Sequence, residues 1–146
     1  KAVGAAFARN TADDMTGLEL STKCFASLVI AKVLGSDALR DGSRKMAIAA
    51  GGLETDLDSV EAFADHDTDF DDAASIDAAC ELLSDDLRAT LGPAFVVAKA
   101  ASYSPARMTE RVLRDHARAM KPKQHVELLM WLGLFQLLYR IERFYA

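Results

Sequence analysis

The side chains that could do chemistry in this 146-residue chain are few and scattered. Cys24 and Cys80 are its only cysteines, and neither belongs to a C-x-x-C pair. Each lies in apolar, helix-like surroundings, where a cysteine behaves as a small buried hydrophobe. A secreted disulfide framework is not indicated. His116 falls near the apolar side of a helical segment and reads as a hydrogen-bonded core histidine, with a general base as the alternative. His125 and Glu127 open the last helical stretch, where a carboxylate suits the helix dipole. No H-x-x-x-H or H-E-x-x-H pattern occurs, so a helical zinc site has no support. The run Asp65-His66-Asp67-Thr68-Asp69-Phe70-Asp71-Asp72 alternates acids as a calcium loop does. It has Phe70 where the sharp turn needs glycine and Ile76 where the bidentate glutamate belongs, so it reads as a solvated acidic loop. No G-x-S-x-G elbow and no glycine-rich phosphate loop is present. On these grounds neither a metal nor a cofactor is expected.

Charge is divided unevenly. Glu54–Asp86 contains thirteen acids and no lysine or arginine, while the rest holds nine acids and seventeen bases. Arg107, Arg111, Arg114 and Arg118 follow spacings that place them within about 60° of one another on a helix. Such a stripe could hold a phosphate or carboxylate, but the expected reading is a solvated helix face, with pairing to the acidic stretch as the alternative. Aromatics are not interleaved with the arginines and the net charge is −5, so a nucleic-acid partner is not expected.

The elements that must position these groups are helices. Alanine and leucine abound, three prolines and eight glycines are too few for a turn-rich β fold, and the length suits one domain. The pattern predicts a short helix over Lys1–Arg9, interrupted at Asn10 and Thr11. A helix apolar on nearly every face follows, Gly17–Leu34, as in a buried element. Gly35 stops it, Ser36 N-caps the next, and Gly51-Gly52 ends that one near Ala50. Leu57–Ala64 reads as a short helix, Asp65–Asp72 as a loop and Ala73–Leu91 as a longer helix. Gly92-Pro93 is taken as a break, with Pro93 opening a helix through Ser102. Ser104-Pro105 predicts a helix to Met120, and Pro122 one to Tyr145. The apolar run Val126–Tyr139, about fourteen residues, is shorter than the ~20 that cross a bilayer. A core or interface helix is expected there, with no membrane span. The first residues lack the succession of a secretory signal, so a cytoplasmic location is expected.

Two segments resemble the alkylhydroperoxidase/carboxymuconolactone decarboxylase (AhpD-like) superfamily. Ala26–Gly52 reads ASLVIAKVLGSDALRDGSRKMAIAAGG, like that superfamily's apolar helix, glycine, C-x-x-C-x-x-x-H motif and small-residue helix ending in glycine. Val97–Ile141 is similar to its closing region, with the last helix from Val126 to Arg140 matching well. The resemblance implies a compact all-α fold of several helices, filling residues 1–146 as one domain with an acidic stretch at 54–86. It also implies assembly as trimers or hexamers. In the peroxidase branch it implies a redox cysteine pair, a histidine and an upstream glutamate. Here those four positions hold Ser36, Leu39, Ser43 and Cys24. The decarboxylase branch uses a histidine in the same region, and none stands between Phe25 and Asp65.

The expected function is therefore a diverged superfamily protein that has lost thiol peroxidase chemistry and serves in binding or assembly, as a homo-oligomer (a trimer or multiple). Its partner would be a small molecule or a protein. One alternative is an enzyme using the same pocket for non-redox chemistry, with Ser36, Ser43, His116, Glu127 and Arg140 as its polar groups. A second is a thiol oxidoreductase using Cys24, with Cys80 as its partner.

Overall fold

A computed structural model describes residues 17–145 together with Gly4 and Ala5. Among the described residues the chain is helical and has no strand. Six α-helices follow one another from Gly17: α1 (Leu20–Leu34), α2 (Asp37–Ala49), α3 (Glu54–Asp65), α4 (Ala73–Cys80), α5 (Asp85–Ser102) and α6 (Pro122–Tyr145). A π-helical turn (Val112–His116) and a 3-10 turn (Ala117–Ala119) join α5 to α6. Gly4 and Ala5 are helical; the rest of the helix expected over Lys1–Arg9, and its interruption at Asn10 and Thr11, lie outside the described residues. No helix among the described residues is long and apolar enough to cross a membrane.

The helix expected to be buried on every face is the centre of the molecule. Residues Thr22 to Ala31 of α1 are all buried, and α1 packs against α2, α3, α5 and α6. It ends at Gly35, whose φ of 70° is left-handed. Gly35 N–H bonds the Lys32 carbonyl and Ser36 N–H the Ala31 carbonyl, both at 3.1 Å, so two otherwise orphaned carbonyls are satisfied by the glycine turn. The same pairing of bonds closes α2 at Gly51 and Gly52.

Two expectations are corrected in the second half. The break placed at Gly92-Pro93 lies instead at Glu81–Ser84, and α5 runs unbroken through Pro93. Ser84 leaves the helix with extended ψ, and Asp85 and Asp86 then fill the first turn of α5, where carboxylates suit the positive helix end. Ser84 is also tied to α3, its hydroxyl donating to Asp56 at 2.9 Å and its N–H to Ser59 at 3.3 Å. An interior proline removes a backbone bond and costs roughly 3 kcal/mol. Here it is followed by Ala94–Ser102, every residue of which is buried, and that packing holds the helix together.

The helix expected over Ser104–Met120 does not start at Ser104. The Ser104–Pro105 peptide is cis, and the chain continues irregularly to Thr109, fastened by Arg107 N–H to the Ala100 carbonyl at 2.8 Å. Thr109 takes the capping role, its hydroxyl oxygen accepting from Val112 N–H at 3.3 Å. Helical structure begins at Glu110, so the four arginines do not share one regular helix face.

Candidate functional site

Ser36 stands where the resemblance puts the attacking cysteine, and its hydroxyl is fully employed. The oxygen caps α2 by accepting from Leu39 N–H at 3.1 Å, and its hydrogen goes to the Glu142 carboxylate near the end of α6. Leu39 packs half-buried against the core. Ser43 is completely buried, and its hydroxyl has no hydrogen-bond partner among the described residues. Cys24 lies buried on α1, ten residues before the helix end, so it is roughly 15 Å along the helix axis from the turn that carries Ser36. Burial pushes its thiol upward in pKa, away from the thiolate that redox chemistry uses.

The other candidates are elsewhere. His116 ends the π-helical turn, half-buried, and burial lowers its pKa against the opposing pull of Asp115 and Asp77. Arg140 is exposed on α6, roughly 20 Å along the helix from Glu127. Cys80 closes α4, half-buried, its thiol also raised by burial and by Asp77 and lowered in part by Lys99 and Arg88. The eight candidate positions, Cys80 and Glu127 included, thus spread over five elements.

What the fold does build from polar residues is two buried cations. The first is Lys23, whose ammonium meets Glu127 at 3.2 Å, both side chains almost wholly buried. Glu127 also accepts from Gly17 N–H at 2.9 Å and Leu18 N–H at 3.0 Å. Burial alone would raise this carboxyl; the two backbone donors and Lys23 outweigh it and hold it below the usual carboxylate range. A Cβ at Gly17 would come within 2.7 Å of the Glu127 oxygen, so glycine there permits the approach. The polar line continues inward, with Ser27 donating to the Lys23 carbonyl at 2.8 Å and the Trp131 indole donating to Ser27. Glu127 is accordingly a clamp between the starts of α1 and α6.

The second is Lys99 on α5, wholly buried. Its ammonium donates to the Phe63 carbonyl (2.8 Å), the His66 carbonyl (2.6 Å) and the Thr68 hydroxyl (2.8 Å), and lies 5.0 Å from the centre of the Phe63 ring. Burial brings its pKa down to about 8, against the pull of Asp65, Asp67 and Cys80. The inside of the Asp65–Asp72 loop is thus occupied by a lysine ammonium. No group of histidine, cysteine or carboxylate side chains that could hold a metal occurs among the described residues.

The acidic stretch finds its cations within the fold, though not in the arginine stripe. Arg44 on α2 faces Glu54, Asp58 (3.1 Å) and Glu61 (3.2 Å) on α3, and Lys32 reaches Asp65 at 2.8 Å. Three carboxylate partners outweigh the burial of Arg44 and raise its pKa. The stripe arginines turn to local partners: Arg107 stacks over Tyr103 at 4.1 Å, and Arg111 and Arg114 both pair with Asp115. Arg111 touches the acidic loop only through the Asp71 carbonyl, at 2.9 Å.

A hollow of about 440 Å³ lies between Asp67–Asp71, Arg107 and Thr109. A groove of about 630 Å³ runs past Leu18, Phe25, Leu91 and Lys121. A dent of about 120 Å³ adjoins Ser36, Lys32 and Arg40. Ser36 lines only the last, and the remaining seven candidates line none of the three. No protein-family model, curated protein or solved structure matches the chain.

Proposed function

We propose that this chain is a diverged member of the alkylhydroperoxidase/carboxymuconolactone decarboxylase superfamily that has lost thiol peroxidase chemistry and works as a binding or assembly protein, as a homo-oligomer. The observation that carries the reading is the state of Ser36. Its oxygen caps the start of α2 and its hydrogen is held by the Glu142 carboxylate, so the hydroxyl ties α2 to the end of α6. Ser43 is consistent with the same reading, because its hydroxyl is completely buried and no hydrogen bond ties it to a candidate acid or base among the described residues. So is the burial of Cys24, which raises its thiol pKa and disfavours the thiolate. Thiol peroxidases of this superfamily use a thiolate to attack the peroxide oxygen and a nearby second thiol to resolve the sulfenic acid.

The test is peroxide turnover with a generic thiol reductant, on the wild type and on Cys24→Ala. Both should stay at the uncatalysed background. Turnover in the wild type that disappears in Cys24→Ala would overturn the reading and identify α1 as the seat of a relocated active thiol.

A further inference from the structure

The groove of about 630 Å³ lies where the starts of α1, α5 and α6 meet. Leu18 and Phe25 give it one apolar wall, and Leu87 and Leu91 give it another; the last two are four residues apart and so share a face of α5. The remaining wall is the first turn of α6, with Lys121 and Gln124. Sites for small molecules run to roughly 300–1,000 Å³ and are mostly apolar, with a few placed polar groups.

Two polar groups of this lining are left without a partner. Lys121 is the N-cap of α6, its carbonyl accepting from His125 N–H at 3.1 Å. The Gln124 side chain reaches back to Lys121 N–H at 3.0 Å, which is one half of a capping box. The other half needs a side-chain oxygen at the N-cap to accept from Gln124 N–H, and lysine has none. Gln124 N–H therefore finds no acceptor among the described residues, at the positive end of a helix of 24 residues. The second group is the hydroxyl of Thr22, a residue only 4% exposed that lines the groove. The hydroxyls of Ser27, Thr90 and Ser102 each donate to the carbonyl four residues back. That of Thr22 makes no hydrogen bond among the described residues, and the groove is the space left to it. Leu18, four residues before Thr22, is bonded to Glu127, three after Gln124, at 3.0 Å. The two unpartnered donors thus belong to adjoining turns at the starts of α1 and α6.

We infer that this groove binds an amphipathic carboxylate. Its acyl or aryl chain lies on Leu18, Phe25, Leu87 and Leu91, and its carboxylate completes the cap of α6, accepting from Gln124 N–H and the Thr22 hydroxyl beside the Lys121 ammonium. Glu19 is the single carboxylate among the described lining residues. Set against it, Lys121 and the helix end favour one added negative charge rather than two, a carboxylate rather than a phosphate. The inference names a ligand for the binding role proposed above and rests on that role.

Calorimetric titration of the full chain with sodium decanoate tests it. One decanoate per chain is expected, with a Kd on the order of 0.1 millimolar, within reach of a ligand of that size. Decanol and decylamine share the chain without the carboxylate and should bind at least about tenfold more weakly. Lys121 is exposed, so its variants keep the fold. Lys121→Ala and Lys121→Ser both remove the ammonium, but serine also closes the capping box on Gln124 N–H. Lys121→Ser should therefore bind decanoate about threefold or more weaker than Lys121→Ala, and melt at a higher temperature. Thr22→Val should weaken decanoate by roughly 3–10-fold and leave decanol unchanged. No saturation by about 2 millimolar, equal binding of decylamine, equal affinity of the two Lys121 variants, or indifference to Thr22→Val would each overturn the site. A chain that binds no decanoate and is inert to peroxide would overturn this site and leave the loss of redox chemistry standing. Decanoate binding together with Cys24-dependent turnover would do the reverse.

Discussion

Lys99→Met removes the ammonium that lies inside the acidic loop and leaves a side chain of similar length. The consequence depends on pH in a way that can be worked out. Lys99 titrates near 8 in the folded chain and near its ordinary 10.5 when unfolded. Below pH 8 both states hold the proton, and the folded state bears the cost of a buried ammonium. Between pH 8 and 10.5 the unfolded chain binds more protons than the folded one, so stability rises with pH. At 1.36 kcal/mol per unit, the difference between these values corresponds to about 3 kcal/mol, most of it gained by pH 10. The variant lacks this contribution but leaves the Phe63 and His66 carbonyls without their donor, at ~1–3 kcal/mol for each buried orphan. These two effects oppose each other at pH 7. The wild type gains stability as Lys99 loses its proton and the variant does not, so the variant should lose about 2–3 kcal/mol relative to the wild type from pH 7 to 10. Urea unfolding followed by circular dichroism at several pH values measures the gap, and subtraction cancels the tyrosines and most of the thiol titration. A gap that stays constant from pH 7 to 10, or moves in the variant's favour, would refute the account of Lys99 as a cation held against its burial cost.

Glu127→Gln replaces the carboxylate shared by Lys23 and the Gly17 and Leu18 N–H groups with a neutral amide and should cost about 1–3 kcal/mol in urea unfolding. Adding Lys23→Met should recover a large part of it, and no recovery would show that the ion pair is not what holds α1 to α6. Reversing Arg111 and Arg114 to Glu together with acids in 65–72 should give additive changes in melting temperature, because the stripe meets that loop only through the Asp71 carbonyl; strong coupling would show carboxylate pairing in solution. Arg44→Ala combined with Glu61→Gln should couple by about 1 kcal/mol or less, as partly exposed pairs do. Cys24 should resist Ellman reagent in the native protein and react only on unfolding, given its burial and raised pKa; prompt native reaction would mean that α1 is open to solvent.

Where local chemistry decides, the sequence was readable. The all-round apolarity of 17–34, the glycines at 35 and 51, the cap at Ser36 and the start at Pro122 all correspond to features of the fold. Gly92-Pro93 and Ser104-Pro105 misled because two strong local signals met stronger tertiary ones. The burial of Ala94–Ser102 carries a helix through a proline, and the bonds of Arg107 and Thr109 delay a helix by five residues. The better clues were Ser84-Asp85-Asp86, a cap followed by two acids, and Thr109 ahead of Glu110.

The polar interior was the least legible part. Lys23 and Lys99 sit in helices whose neighbours are nearly all apolar, and a lone lysine there has two outcomes that sequence does not separate: it extends to water, or it is bonded on every side. The second outcome requires acceptors that are distant in sequence, 104 residues away for Glu127 and about 33 for the carbonyls at the end of α3. Ser36 shows the same limit from the other direction. Its position made it a candidate for chemistry and its type made it a cap, and only Glu142, brought back by the full length of α6, occupies its hydrogen. The same helix that consumes Ser36 at its end holds Glu127 at its start.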